Sequence, residues 1–93
     1  MALRILAGRL VNTAISVGTT AIALPTTAAN GRITMSVHNA GSVIVYVGGA
    51  SVTTANGLPL EVGEKLAFDL DANVVLYGVV ASGTADVRIL EGA

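Results

Sequence analysis

Turn-forming residues recur about every seven to ten positions along the chain, which leaves room for short strands but not for ordinary helices. The segments between the turns are rich in Val, Ile and Thr, whose branching at Cβ suits a pleated surface. The turns are Asn30-Gly31, Asn39-Ala40-Gly41, Gly48-Gly49, Asn56-Gly57, Gly63-Glu64, Asp71-Ala72-Asn73 and Ser82-Gly83. This spacing predicts an all-β fold, a single small antiparallel β-sandwich or jelly-roll-like barrel of about seven or eight short strands spanning residues 1–93.

Apolar and polar residues alternate in three segments, as they do in strands with one face in the core and one in water. In the first segment Ile33, Met35 and Val37 are expected to face inward, and Arg32 outward. The alternating segments are residues 32–39, 65–70 and 86–89. They predict strands that each have one solvated face.

Local signals make four further predictions. Gly48-Gly49 predicts a tight hairpin that joins residues 43–47 to residues 50–53. Pro59, just after the Asn56-Gly57 turn, predicts an edge strand, because proline cannot donate to a ladder. The charge-free segment that follows Asn12 predicts a strand over residues 15–24 and then a loop. The first residues, 1–11, are expected to form an N-terminal arm or a first strand.

The balance of apolar to charged residues predicts an oligomer. The chain is 53% hydrophobic and 12% charged, with a net charge of −1, whereas an ordinary soluble domain has about 25% charged residues. Segments 43–47 and 74–80 are apolar on both sides, so a second layer or a partner subunit should cover them. The residues predicted at the subunit interface are Val43, Val45, Tyr46, Val47, Val75 and Tyr77.

Composition argues against most catalytic and ligand-binding classes. The chain has no cysteine, which excludes disulfides, thiolate zinc sites and a cysteine nucleophile. Five Lys and Arg against six Asp and Glu give no basic field for nucleic acid. The apolar runs are far shorter than the roughly 20 residues of a membrane-spanning helix. We therefore expect no enzyme activity, no cofactor, and neither nucleic acid nor membrane as a partner.

Some polar residues are candidates for a catalytic or a metal site. His38 is the only histidine in the chain, and histidine is the usual acid–base residue of enzymes. No nucleophile motif accompanies it, so a solvent-facing or interface histidine is the favoured interpretation. Asp69 and Asp71 could approach a divalent cation, although the acidic cluster that they form with Glu61 and Glu64 matches no calcium loop. Solvated acidic edges, with Lys65 or Arg88 neutralising Asp69 and Asp71, are the favoured alternative, and no metal is predicted.

Three other features have a structural and a functional interpretation. The glycine pairs form turns and not a phosphate loop, since no Gly-Lys-Ser or Gly-Lys-Thr follows them. Tyr46 and Tyr77 could stack on a sugar or a base, but core or interface packing is favoured, because each lies in an apolar strand. Arg4 and Arg9 are either part of a solvated arm or partners for carboxylates of another chain.

Motifs in the second part of the chain resemble a pattern found in small structural proteins of tailed bacteriophages. In that pattern an Asn-x-Gly-Ser turn leads to Val-Tyr-Val-Gly-Gly, and the chain closes with an Ala-Ser-Gly-Thr-Ala-Asp-Val-Arg run. The matching segments here are residues 38–49, 52–53, 56–60, 63–64 and 76–88. The resemblance covers about half of the chain, within residues 38–90.

This resemblance implies a capsid decoration or cement protein on the virion surface that binds the major capsid protein. With that partner, Arg4 and Arg9 are predicted as the capsid contacts. Because capsid lattices offer local three-fold positions, we expect a homotrimer. Two alternatives stay open. One is a tail, fibre or connector subunit of the same particle, and the other is a small carbohydrate-binding β-module.

Overall fold

The computed structural model describes residues 8–93 and confirms the all-β prediction. Within this range the chain forms eight strands and no helix. The strands are β1 (Leu10–Val17), β2 (Ile22–Ala23), β3 (Thr34–Asn39), β4 (Val45–Gly48), β5 (Leu58–Leu60), β6 (Lys65–Asp69), β7 (Tyr77–Val79) and β8 (Ala85–Gly92). The predicted arm over residues 1–11 lies outside the described residues as far as residue 7, and its last two residues begin β1.

Two four-stranded antiparallel sheets form the sandwich, with the orders β1-β8-β3-β6 and β2-β7-β4-β5. The strand pairs are nested, from the ends of the chain to its middle. β1 pairs with β8, β2 with β7, β3 with β6 and β4 with β5. This is the arrangement of a long hairpin rolled up on itself, with its tip at residues 49–57. It is the strand order of a jelly roll.

Side chains from both sheets meet in one aliphatic core. The alternation predicted for β3, β6 and β8 is confirmed where the strands form. Met35 and Val37 are buried in β3 and Val87 and Ile89 in β8, because side chains two residues apart share a face. The fully buried members of the core are Val17, Leu24, Met35, Val37, Val45, Leu60, Val80 and Val87.

The first alternating segment differs from its prediction at its start. The strand begins at Thr34, so Arg32 and Ile33 lie beyond the sheet and exchange their expected environments. Arg32 is 2% exposed and Ile33 47% exposed. Arg32 is buried because Glu91, on the neighbouring strand β8, offers it a carboxylate inside the sandwich.

The predicted hairpin at Gly48-Gly49 is wrong, although the edge strand predicted at Pro59 is confirmed. β4 pairs with β5, in which Pro59 lies at the edge of the second sheet. Residues 49–57 form two turns, closed by hydrogen bonds from Val52 N to Gly49 O and from Gly57 N to Thr53 O. Burial of the Val52 side chain explains the difference, since it draws this segment back over the sheet.

The strand predicted over residues 15–24 is also wrong. β1 begins earlier, at Leu10, and ends at Val17, where Gly18 starts a passage to the other sheet. Only Ile22 and Ala23 then pair as strand β2, with β7. A long uncharged stretch does not show where a chain changes sheets, and here the change falls in its middle.

Candidate functional surfaces

Tyr46 and Tyr77 lie together on the outer face of the second sheet. Gly48 and Val79 belong to the same face, because Tyr46 pairs with Val79 and Gly48 pairs with Tyr77. The two tyrosines are therefore diagonal neighbours across β4 and β7, a spacing that aromatic side chains can bridge. Both are half-buried. Pro59 of β5 lies on the other side of Tyr46 and extends this surface, which we call the tyrosine face.

The tip of the rolled hairpin covers part of the tyrosine face. A Cβ atom placed on Gly57 would lie 2.8 Å from the Cβ of Tyr46 and 2.8 Å from a methyl group of Val52. The same methyl group would be 3.1 Å from a Cβ placed on Gly48. Only glycine fits position 57 without displacing its neighbours, so the tip segment is packed tightly against the sheet beside Tyr46.

The predicted interface residues divide into two groups. Val45 and Val47 point into the sandwich and are fully or almost fully buried in the chain's own core, so their side chains are not available to a partner. Val43 is half-buried and packs against the same core. Tyr46, Tyr77 and Val75 remain at the surface, and Val75 is 42% exposed.

A buried ion pair holds the loop that carries Val75. The Nη1 of Arg32 lies 3.0 Å from Oε2 of Glu91, and both side chains are at most 1% exposed. The same guanidinium donates from Nε to the carbonyl oxygen of Leu70 (3.1 Å) and from Nη2 to the carbonyl oxygens of Asp71 (2.9 Å) and Val74. One arginine therefore fixes residues 70–74 to the end of the sandwich.

The carboxylate of this pair is satisfied at one oxygen only. Glu91 Oε2 also accepts a hydrogen bond from the backbone N–H of Ala29 (3.1 Å), whereas Oε1 is buried and has no partner among the described residues. The alternation of β8 contained a signal for this site, because Glu91 follows Val87 and Ile89 at an inward position. A carboxylate at a core position requires a buried cation or donor. No comparable pattern indicates that Arg32 is that cation, because it was expected to face outward.

Exposed apolar side chains gather at the end of the sandwich that Arg32 closes. Leu10 pairs with Gly92, the Ile33 N–H donates to the Gly92 carbonyl oxygen, and Val74 and Val75 belong to the loop between β6 and β7. Leu58 lies at the same end, where it pairs with Val47 of β4. We call this surface the apolar end, and its members are Leu10, Ile33, Leu58, Val74 and Val75, each 42–59% exposed.

The outer face of the first sheet is polar. His38 pairs with Lys65 on one side and with Arg88 on the other, and these three residues border a shallow depression of about 430 Å³. Arg88 binds Asp86 through both carboxylate oxygens at 2.8–3.0 Å. These hydrogen bonds lower the pKa of Asp86 and raise the pKa of Arg88. Arg88 is therefore paired with Asp86, within its own strand. The prediction that Arg88 pairs with Asp69 or Asp71 is wrong.

The predicted acidic cluster forms turns. Glu64 Oε1 accepts a hydrogen bond from the Glu61 N–H (2.6 Å), and Asp71 Oδ1 accepts one from the Asn73 N–H (2.8 Å). Asp69 is exposed in β6. Within residues 8–93, no three His, Asp or Glu side chains are grouped so that they could hold a metal ion.

Arg9 is the predicted capsid-contact residue that the structure describes. Its Nη2 donates to the carbonyl oxygen of Asn30 (2.7 Å), and its backbone pairs with Ala93. Arg4, the other predicted contact, lies outside the described residues. Arg9 therefore lies at the same end of the sandwich as Leu10.

Residues 8–93 therefore form a small jelly-roll domain with three distinct surfaces, which are the tyrosine face, the apolar end and the polar outer face of the first sheet. Neither the family models nor the curated proteins include a match to this chain. Residues 8–93 contain no helix long and apolar enough to cross a membrane.

Proposed function

We propose that this protein is a virion structural protein of a tailed bacteriophage that decorates the assembled head and stabilises it. The observation that carries the proposal is the apolar end, where five large aliphatic side chains remain exposed on a chain that is 12% charged. Large aliphatic side chains exposed at one end of a small domain are typical of protein–protein contact sites. The resemblance of residues 38–90 to phage structural proteins supplies the particle, and the jelly-roll order agrees with it by analogy of fold.

Stabilisation would follow from selective binding. A protein that binds the assembled lattice of the major capsid protein, but not its separate subunits, shifts assembly by mass action. Many weak sites on one lattice add to a large total effect. A body whose loops are anchored internally suits this role, and the Arg32–Glu91 pair provides such an anchor under Val74 and Val75.

The proposed oligomer is a homotrimer that associates through the tyrosine face and the adjoining Val75. Tyrosines are favoured at interfaces because the ring buries a large area while the hydroxyl group can remain hydrated. Arg9, and Arg4 before it, are proposed to pair with carboxylates of the capsid protein. Arg9 has guanidinium donors beyond the Nη2 that Asn30 uses, so it can bind a second acceptor.

A carbohydrate-binding module is the second candidate, because Tyr46 and Tyr77 share one outer face. Two aromatic rings on one sheet face are a possible stacking surface for a sugar. Specific binding on a glycan array that is lost in both Tyr46→Ala and Tyr77→Ala would favour this function over head decoration. A tail, fibre or connector position is the third candidate, and imaging of labelled virions distinguishes the head from the tail.

The main experiment measures binding to heads. Purified protein is sedimented with expanded empty heads and, separately, with unassembled capsid protein, both taken from the phage that encodes the chain. Binding to the heads alone supports the proposal, and equal or absent binding to both contradicts it.

Two variants locate the contact. Val75→Asp adds a charge to the apolar end. It is expected to weaken head binding, or association of the trimer, at least tenfold in affinity. Val62→Asp is the matched control, because Val62 is 53% exposed in the turn after β5, at the opposite end of the sandwich. If both variants lose binding equally, the apolar end is not the contact.

A further inference from the structure

Three of the four edge strands carry features that hinder pairing with another chain. β2 is two residues long, β5 contains Pro59, and β6 carries the charged residues Lys65 and Asp69. Short strands, prolines and charges are the usual protection of sheet edges. β1 differs from all of them, because Leu10–Val17 spans eight residues without a charge or a proline.

The backbone of β1 is positioned for a second neighbour. It pairs with β8 residue for residue along its full length, so no bulge turns the edge away. Arg9 and Ala93 exchange two hydrogen bonds of 3.0 Å, and in an antiparallel ladder such pairs recur at every second residue. The N–H and C=O groups of Asn12, Ala14 and Ser16 therefore point away from β8. Within residues 8–93, β1 is an edge strand with β8 as its one ladder neighbour, so these groups face no other strand.

We propose that β1 pairs antiparallel with β1 of a second copy, around a two-fold axis at Ala14. In this register Ala14 faces Ala14 of the second copy, Asn12 faces Ser16, and the ladder gains about six main-chain hydrogen bonds. Thr13 and Ile15 remain on the core side in both copies. A shift by one residue would set the core side of one copy beside the outer face of the other.

Electrostatic repulsion does not oppose this pairing. The charged residue nearest to the axis on the Ala14 row is Arg88, which pairs with Ala14 in β8. Two copies of Arg88 would be separated by three strand spacings, about 14 Å. That distance exceeds the screening length of about 8 Å at physiological ionic strength. Asp86 also neutralises each Arg88 locally.

The pairing does not depend on the proposed virion role. Through it a monomer becomes a dimer, and two trimers that pair through all three of their β1 strands become a hexamer. A protein that failed to bind heads could still pair through β1.

Cysteine cross-linking tests the register. The chain has no cysteine, so Ala14→Cys introduces a single thiol. Residues facing each other in a hydrogen-bonded pair have Cα atoms about 5.5 Å apart, within the range of a disulfide. Mild oxidation should convert most of this variant to a disulfide-linked dimer. The control Ser36→Cys lies on the same outer face but two strands further in, and should stay unlinked. Equal linking of the two variants, or none in Ala14→Cys, overturns the proposal.

Light scattering tests the contribution of the backbone. Ala14→Pro removes an N–H that β8 does not use, so the fold should persist while the mass is halved. Ala14→Thr keeps the N–H and should keep the mass. An unchanged mass in folded Ala14→Pro protein overturns the proposal.

If circular dichroism shows that Ala14→Pro is unfolded, a charge exchange replaces it. The double variant Asn12→Lys, Ser16→Lys puts like charges opposite each other and should separate the copies. Mixing it with Asn12→Glu, Ser16→Glu should restore the paired mass. Failure of the mixture to pair would exclude this register.

Discussion

Replacing either partner of the buried ion pair should destabilise the protein, and the two replacements should differ in size. Arg32→Met leaves the Glu91 carboxylate with one donor, the Ala29 N–H. Glu91→Leu leaves the Arg32 guanidinium with three backbone carbonyl acceptors. Because the arginine keeps more of its hydrogen bonds than the glutamate does, Arg32→Met is expected to cost more.

Breaking a buried pair by removing one partner costs about 3–5 kcal/mol. A chain of this length has a free energy of unfolding of about 5–14 kcal/mol, at about 0.05–0.15 kcal/mol per residue. Arg32→Met should therefore remove about a fifth or more of the stability. At about 4–8 °C per kcal/mol, its Tm should fall by at least about 12 °C. The double variant Arg32→Met, Glu91→Leu contains no unpaired charge and should be more stable than Arg32→Met alone.

Urea unfolding followed by far-ultraviolet circular dichroism, on the wild type and the three variants, measures this cycle. Protein concentration must be held constant, because association stabilises the folded state. Arg88→Met is the control, since it breaks only the exposed pair with Asp86 and should leave the unfolding midpoint unchanged. Additive effects of the two single replacements, or a larger loss from Glu91→Leu than from Arg32→Met, would refute the reasoning.

Three further predictions concern other parts of the fold. Asn39→Ala removes a fully buried amide that donates to two backbone carbonyl oxygens and accepts one N–H, so the free energy of unfolding should fall by about 2–4 kcal/mol in the same urea assay. Gly41→Ala would place a Cβ 2.8 Å from a backbone Cα and should cost about 1–3 kcal/mol, whereas Gly49→Ala, with no atom within 4 Å, should be neutral. The pKa of Asp86 is lowered by its hydrogen bonds with Arg88. Its contribution to stability is therefore present above the unfolded-state pKa and is lost as the pH falls through the folded-state pKa. In Arg88→Gln, NMR titration should find the pKa of Asp86 closer to its ordinary value, and an unchanged pKa would exclude this cause.

Local sequence patterns predicted the strands well where each side chain responds only to its own sheet. The inward positions of β3 and β8 could be inferred from alternation, because a strand with one face in water repeats every two residues. The edge position of Pro59 followed from its missing N–H. The hairpin at Gly48-Gly49 was predicted wrongly because two glycines permit a tight turn without requiring one, and the burial of Val52 decided against it.

The candidate surfaces were less accessible to sequence reasoning. The sequence indicated both Tyr46 and Tyr77 as interface candidates. Their position as diagonal neighbours, however, depends on the pairing of β4 with β7, and 28 residues separate Gly48 at the end of β4 from Tyr77 at the start of β7. The same pairing leaves Val45 inside the core. An apolar run does not indicate whether its cover comes from its own chain or from a partner.

Taken by itself, the sequence determined that this chain is all-β, approximately where its turns fall, and which residues of the alternating strands face the core. These properties are local, since they depend on turn chemistry and on a period of two residues. The tertiary structure alone decided the jelly-roll order, the burial of Arg32 against Glu91 and the position of β1 at the edge of its sheet. Each of these depends on which distant strands become neighbours, and that choice is made by the packing of the whole core.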